Sequence, residues 1–272
     1  MIVASGFDLS GRLSDEGEDL MADPVYRVVV GAARGMIGAM RWDVIVDGAE
    51  NIPPEGPAVI ATNHIGYLDF VFSGYAARDQ KRLVRFLAKK EIFDKKGVGW
   101  LMRKMKHIPV DRFGAPHESF DRSVAALRQG EIVGMFPEAT ISPSFVPRAG
   151  KNGAVRMAQA ADAPLIPAAV WGTQRILTKW RPKNFQRKVA IMVNVGKPLD
   201  LDPSHDPDEA TQRLMTRINE LLVDAQARYP QEPANDEERW WLPAHLGGNA
   251  PTIEDAEARL AAEYEGRRRR PS

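Results

Sequence analysis

The stretch Asn63-His64-Ile65-Gly66-Tyr67-Leu68-Asp69 follows a short apolar run, Ala58-Val59-Ile60-Ala61-Thr62, bounded upstream by the Pro/Gly-rich Ile52-Pro53-Pro54-Glu55-Gly56-Pro57. A run of this length with a proline-rich start reads as a strand leaving a loop. After it, Leu68, Val71, Phe72, Tyr75 and Ala76 recur at helical spacing, so Asp69 falls in the first turn of a helix. A carboxylate is electrostatically favoured there, which alone accounts for an acidic residue. His64, five residues earlier, would be rotated by roughly 140° from Asp69 on a continuous helix. Placed instead in the turn before the helix, the histidine can swing back, give one ring nitrogen to Asp69 and keep the other for a substrate hydroxyl. A buried histidine with an ordinary hydrogen-bond partner is the structural alternative.

A second block shifts that balance. Phe136-Pro137-Glu138-Ala139-Thr140-Ile141-Ser142 directly follows another apolar run, Ile132-Val133-Gly134-Met135. Ile108-Pro109-Val110-Asp111-Arg112 ends a third short strand in an arginine, and Leu165-Ile166-Pro167-Ala168-Ala169-Val170 carries a proline within an apolar strand. In this order the four blocks resemble the glycerolipid acyltransferase family, bacterial 1-acylglycerol-3-phosphate acyltransferases in particular, over about residues 40–200. The first block matches the family's N-H-x-x-x-x-D pattern in full. The third departs from F-P-E-G-T-R-S, because Ala139 and Ile141 stand where the family has glycine and a phosphate-binding arginine.

The resemblance implies His64 and Asp69 as the catalytic pair, and Asn63, Lys90, Arg112, Glu138, Ala139 and Thr140 as substrate contacts. Arg112 is the expected phosphate anchor, since a guanidinium fork matches phosphate bidentately, with Lys90 second. Arg148 and Lys151, just downstream of the altered third block, are the candidates to replace the missing arginine. Backbone N–H groups of the Pro137-Glu138-Ala139 turn are candidate oxyanion or substrate contacts. The implied reaction moves a fatty acyl group from a thioester, acyl-CoA or an acyl carrier protein, to the free hydroxyl of a lysophosphatidic acid-like acceptor. No cofactor is implied beyond the donor as co-substrate. Another lysophospholipid or a glycolipid acceptor is the nearest alternative, and a non-catalytic lipid- or coenzyme-binding protein is the alternative from another class.

Composition fits this chemistry and removes others. The 272 residues contain no cysteine, which excludes disulfides, thiolate metal ligands and a thiol nucleophile. The five histidines, His64, His107, His117, His205 and His245, show no metal-ligand spacing, so no metal site is expected. Neither a P-loop nor a Gly-Xaa-Ser-Xaa-Gly elbow is present. The net charge of +1 conceals a basic block, with twelve Lys/Arg against four Asp/Glu between Arg78 and Arg112. Such a block attracts anions. Its aromatics, Phe86, Phe93 and Trp100, form no evident stacking platform, so lipid or coenzyme phosphates are expected there rather than nucleic acid.

The organisation expected is a single α/β domain with a mixed, largely parallel sheet flanked by helices, since strands and helical segments alternate. Residues 1–22 are acidic and Gly/Ser/Asp-rich and are expected to be disordered. The acyltransferase domain is expected to span 23–228, opening on an amphipathic helix at 24–41 behind Asp23-Pro24. Residues 229–272 form a C-terminal extension with a Trp240-Trp241 pair and a helix capped by Thr252. No segment approaches the roughly 20 apolar residues needed to cross a bilayer, and no signal peptide is evident. The expected location is therefore peripheral, on the cytoplasmic face of an anionic membrane, through the Val25–Met40 stripe, the basic block and the tryptophan pair.

Overall fold

In the computed structural model, which describes residues 24–111 and 116–268, apolar runs of three to seven residues become seven strands of one sheet. They are β1 (Asp43–Asp47), β2 (Ala58–Thr62), β3 (Val84–Lys89), β4 (Ile108–Val110), β5 (Ile132–Met135), β6 (Leu165–Trp171) and β7 (Ala190–Val195). Their spatial order is β1-β7-β6-β2-β5-β3-β4. Every neighbouring pair is parallel except β6 and β7, which are antiparallel. The sheet is thus mixed and largely parallel, as the alternation of segments predicts.

Alternation along the central strands shows why they read as continuous apolar runs. On β2, Ala58 and Ile60 enter one core cluster with Phe72, Ile132 and Ile166, whereas Val59 and Ala61 enter a second with Val133, Leu127 and Leu214. Both faces of a parallel sheet are covered by its crossover helices, so neither face retains polar positions. The helix α2 (Asp69–Tyr75) lies against the first cluster through Phe72. The second is covered by α5 (Pro116–Arg128), α6 (Gly153–Ala161) and α7 (Pro207–Ala227). In α7 the Asp206 side chain accepts from the backbone N–H of Asp208 and Glu209, with proline in the first turn. That cap satisfies donors that have no intrahelical partner, and the buried stripe Leu214, Ile218, Leu222 and Ala225 then fixes which face turns inward.

Two short helices, α3 (Lys90–Phe93) and α4 (Val98–Lys104), connect β3 to β4; the helical spacing of Val98, Leu101, Met102 and Met105 predicts α4, whereas α3 has no such pattern in the sequence. At the N-terminus α1 (Pro24–Met40) rests on the first core cluster through Ile37 and Met40 but leaves Val28 70% exposed. His107 is a core histidine: its Nδ1 accepts from the Phe86 N–H at 3.0 Å, and burial pushes its pKa down to about 4, so the ring is neutral.

Packing does not stop at Arg228, where the domain was expected to end. Trp241 and Ala250 are buried in a third cluster with Ile65, Trp171 and Leu222, and Tyr229 packs against it. The Tyr229 hydroxyl donates to Ala190 O at 2.6 Å, and the buried Arg175 guanidinium lies 4.6 Å from the Trp241 ring centroid. Trp241 is therefore a core residue and is withdrawn as a membrane contact. The described residues end in α8 (Ile253–Arg268), where Thr252 Oγ1 accepts from the Asp255 N–H at 3.1 Å, the cap expected from the sequence. Removing the indole leaves a large cavity beside Trp171, so Trp241→Ala is expected to destabilise the fold by about 3–5 kcal/mol in urea unfolding. A loss below about 1 kcal/mol would detach this segment from the core.

Candidate active site

Three adjacent strands, β5, β2 and β6, deliver the site at their carboxyl ends, where open α/β sheets place ligands. From β2 come Asn63 and His64, from β5 the Phe136–Ser142 turn, and from β6 the turn at Gly172-Thr173. Asn63 is fully buried and extends the ladder with its side chain, its Nδ2 donating to Val170 O at 3.0 Å and its Oδ1 accepting from Val170 N at 2.7 Å. Both ends of the amide are thereby committed to β6. Asn63 holds the strand end in place, a correction to its expected role as a substrate contact.

Asp69 opens α2 and is completely buried. Its Oδ2 accepts from the backbone N–H of Ile65 at 2.7 Å and of Gly66 at 2.8 Å, and faces His64 Nδ1 at 2.9 Å. Its Oδ1 accepts from the Thr173 hydroxyl at 2.5 Å. Four donors converge on two oxygens, the environment an ionised carboxylate needs in place of water. A carboxylate can only accept, so His64 Nδ1 must carry the proton and Nε2 is left with its lone pair. The ring stacks on Phe136 with centroids 4.0 Å apart, remains 19% exposed, and makes no hydrogen bond through Nε2 among the described residues. The stack continues from Phe136 to Phe86 at 5.8 Å. It depends on Gly134 in β5, where a Cβ would come within 2.5 Å of the Phe86 ring.

Thr173 is a site residue that motif reading missed. Its sequence neighbourhood, Trp171-Gly172-Thr173, carries no recognised pattern, and it reaches Asp69 only because β6 lies beside β2. Gly66 gives the turn its closeness, for a Cβ there would sit 3.1 Å from Thr173 Oγ1 and 3.2 Å from Asp69 Oδ1.

Glu138 clamps the same turn from the other side. Its Oε1 accepts from His64 N at 2.7 Å and its Oε2 from Arg148 N at 2.9 Å. The side chain thus spans two loops, supporting the backbone of His64. Burial pushes its pKa up to about 8, opposed by those two N–H groups and reinforced by the nearby Asp69 charge. Ala139 follows at φ 58, a left-handed conformation that favours glycine and explains the family's residue at this position. The Ala139 N–H is donated to Phe136 O, and Pro137 has none, so of the three positions in this turn the Glu138 N–H is the one left as a candidate for the expected oxyanion contact.

The expected anion-binding residues are dispersed. Arg112 lies outside the described residues. Lys90 begins α3 and pairs with Asp111 at 3.1 Å. Thr140 is half-buried beside the buried Ile141, and Lys151 is exposed, its N–H donating to Pro137 O. The Arg148 guanidinium is gripped at both Nε and Nη2 by Glu257 of α8, so it is committed and does not replace the missing arginine. Among the described residues, no three His, Cys, Asp or Glu side chains are grouped to hold a metal ion.

Glu138 provides a direct check on this geometry. A carboxyl whose pKa rises from 4.5 to about 8 on folding binds more protons in the native than in the unfolded state across that window. Its contribution to stability therefore falls as pH rises. The stability of the native protein relative to Glu138→Gln, read from urea unfolding, is expected to fall as the pH rises through this range. A difference that does not vary with pH would contradict it.

Comparison with known proteins places this arrangement. An acyltransferase family model matches residues 43–171, which include every residue of the His64–Asp69–Glu138 cluster. The 1-acyl-sn-glycerol-3-phosphate acyltransferase of Bacillus subtilis is 33% identical over 203 residues, spanning 72% of this chain and 96% of that protein. The chloroplastic LPAT1 of Arabidopsis thaliana is 29% identical over 140 residues, half of this chain and 38% of that one. The crystal structure of the 1-acyl-sn-glycerophosphate (LPA) acyltransferase PlsC from Thermotoga maritima shares the fold with a TM-score of 0.62 at 20% identity, over 76% of this chain and 81% of that one. With its motif blocks in order on the matching sheet, this chain belongs to the acyltransferase family.

Proposed function

We propose that the protein transfers a fatty acyl group from a thioester to the free hydroxyl of a lysophosphatidic acid, the acceptor that the name of its Bacillus subtilis relative, 1-acyl-sn-glycerol-3-phosphate acyltransferase, gives for that protein. The observation that carries this reading is the His64–Asp69 pair, oriented with Nδ1 on the carboxylate and Nε2 open. The acceptor hydroxyl gives its proton to His64 Nε2 as its oxygen bonds to the thioester carbonyl carbon. The tetrahedral intermediate then expels the thiolate, which takes the proton back from His64 and leaves as a thiol. The hydroxyl attacks directly, so no enzyme nucleophile and no cofactor enter, and donor and acceptor must bind together. Asp69 holds the ring in one tautomer and stabilises the imidazolium that forms between the two steps. Acyl-CoA and an acyl carrier protein both present the required thioester.

General-base assistance contributes about 10²–10⁴-fold. Both His64→Ala and Asp69→Asn are therefore expected to lose turnover of at least about 10²-fold with labelled lysophosphatidic acid and acyl-CoA or acyl carrier protein donors. Mass spectrometry of the product fixes the acylated position. Turnover close to the native rate in either folded variant would sink the mechanism.

The product is a two-chain lipid, and two exposed regions suit a peripheral seat on the bilayer. One is α1, with Val28 and Met36 exposed beside Arg34. The other is α4, where Val98 and Trp100 are about half exposed near Lys95, Lys96, Arg103 and Lys104. Apolar insertion and basic charge together give the two signals that stable anchoring requires. Among the described residues no helix is long and apolar enough to cross a membrane. The protein is expected to sediment with anionic liposomes at low salt, less so at high salt, and less in Val28→Asp/Trp100→Asp. Failure of the native protein to sediment would remove the interfacial reading.

A further inference from the structure

A recess of about 230 Å³ lies between the segment after β6 and the C-terminal helix α8. Its walls include Phe145, Trp180 and Trp240, and its cations are Lys179, Arg181 and Arg259. The guanidinium of Arg259 sits 4.0 Å from the Trp180 centroid, and that of Arg181 lies 5.1 Å from the Trp240 centroid. Stacking on indole faces fixes a guanidinium plane while leaving its N–H groups free at the rim. Of the three cations, Lys179 pairs with Glu263 at 3.0 Å, and the same carboxylate accepts from the Trp180 indole N–H. Among the described residues neither Arg181 nor Arg259 has a carboxylate partner. The recess is therefore a preorganised positive site whose charge is only partly answered from within.

Its walls are hung on the catalytic turn. The Tyr67 N–H donates to Leu177 O at 2.8 Å, and the Thr178 hydroxyl donates to Ile65 O at 2.6 Å, just before Lys179. On the opposite wall the Ser142 N–H donates to His64 O at 2.7 Å, three residues before Phe145. Most of the lining lies beyond the segment that matches the family model, which ends at residue 171. The recess thus adds positive charge next to a third motif that has Ile141 in place of the family's arginine.

We propose that this recess binds a phosphate monoester, with Arg181 and Arg259 as its bidentate donors and Lys179 as a supporting charge. The proposal rests on the acyl-transfer reading for its choice of ligand, because the lysophosphatidic acid acceptor carries that group, as does coenzyme A where it is the donor. The lysophosphatidic acid head is one phosphate monoester, and the 3′-phosphate of coenzyme A is the other. Neither arginine touches the His64–Asp69 pair, so their loss weakens binding without altering the base.

The test titrates the full-length protein calorimetrically with adenosine 3′,5′-bisphosphate and, separately, with hexanoyl lysophosphatidic acid below its micellar concentration. Arg181→Gln and Arg259→Gln, exposed substitutions checked for folding by circular dichroism, are titrated alongside. Each is expected to weaken one of the two ligands by about tenfold, the size of one lost charge-assisted hydrogen bond. Weakening of the bisphosphate, with a raised KM for acyl-CoA only, assigns the recess to the donor. Weakening of the lysolipid, with a raised KM for the acceptor only, assigns it to the head group. Native affinity for both ligands in both variants, or no binding of either ligand to the native protein, overturns the proposal. Phosphate binding lost in the variants while the native protein transfers no acyl group would keep the recess and discard the reaction.

Discussion

The buried carboxylate of Asp69 is the constraint on which the rest of the site depends. An ionised group with no access to water must be surrounded by donors, and its four come from three different places: the turn after β2, the His64 ring and the turn after β6. Meeting that demand folds the turn back over the start of α2, favours glycine at residue 66, and brings β6 beside β2. The orientation of the histidine follows from the same requirement. One interaction thus links strand order, turn geometry and the protonation pattern of the candidate base.

Around this centre, the supports act on backbone rather than on substrate. Asn63 ties the end of β2 to Val170, Glu138 ties the His64 N–H to the Arg148 loop, and Glu257 ties Arg148 to α8. Residues that look like a row of substrate contacts in the sequence are in part a scaffold for a single histidine. The C-terminal segment belongs to that scaffold, since Trp241 fills the cluster that also contains Ile65.

What the sequence made legible is local. A strand running into Asn63-His64 and a helix beginning at Asp69 follow from apolar spacing, and the pair follows from the five-residue separation. The parallel sheet follows from alternating strands and helices. Thr173 was not legible, because its hydroxyl reaches Asp69 across 104 residues and only the pairing of β6 with β2 creates the contact. The commitment of Arg148 to Glu257 was hidden in the same way, 109 residues apart. In the sequence Trp241 reads as an interfacial tryptophan because composition suits both uses, and its ring contacts with Trp171 and Tyr229 place it in the core. Ala139 shows the reverse case: a left-handed residue that a turn pattern with glycine would announce, held here by an alanine.

The central claim is that Asp69 fixes His64 in the tautomer with its proton on Nδ1 and a free Nε2. Nitrogen-15 NMR of the histidine-labelled protein, under conditions where the ring is neutral, reads that tautomer directly. The account predicts a protonated Nδ1 and an unprotonated Nε2 for His64. A proton found on Nε2 instead would contradict it, for the nitrogen assigned to receive the acceptor's proton would already be occupied.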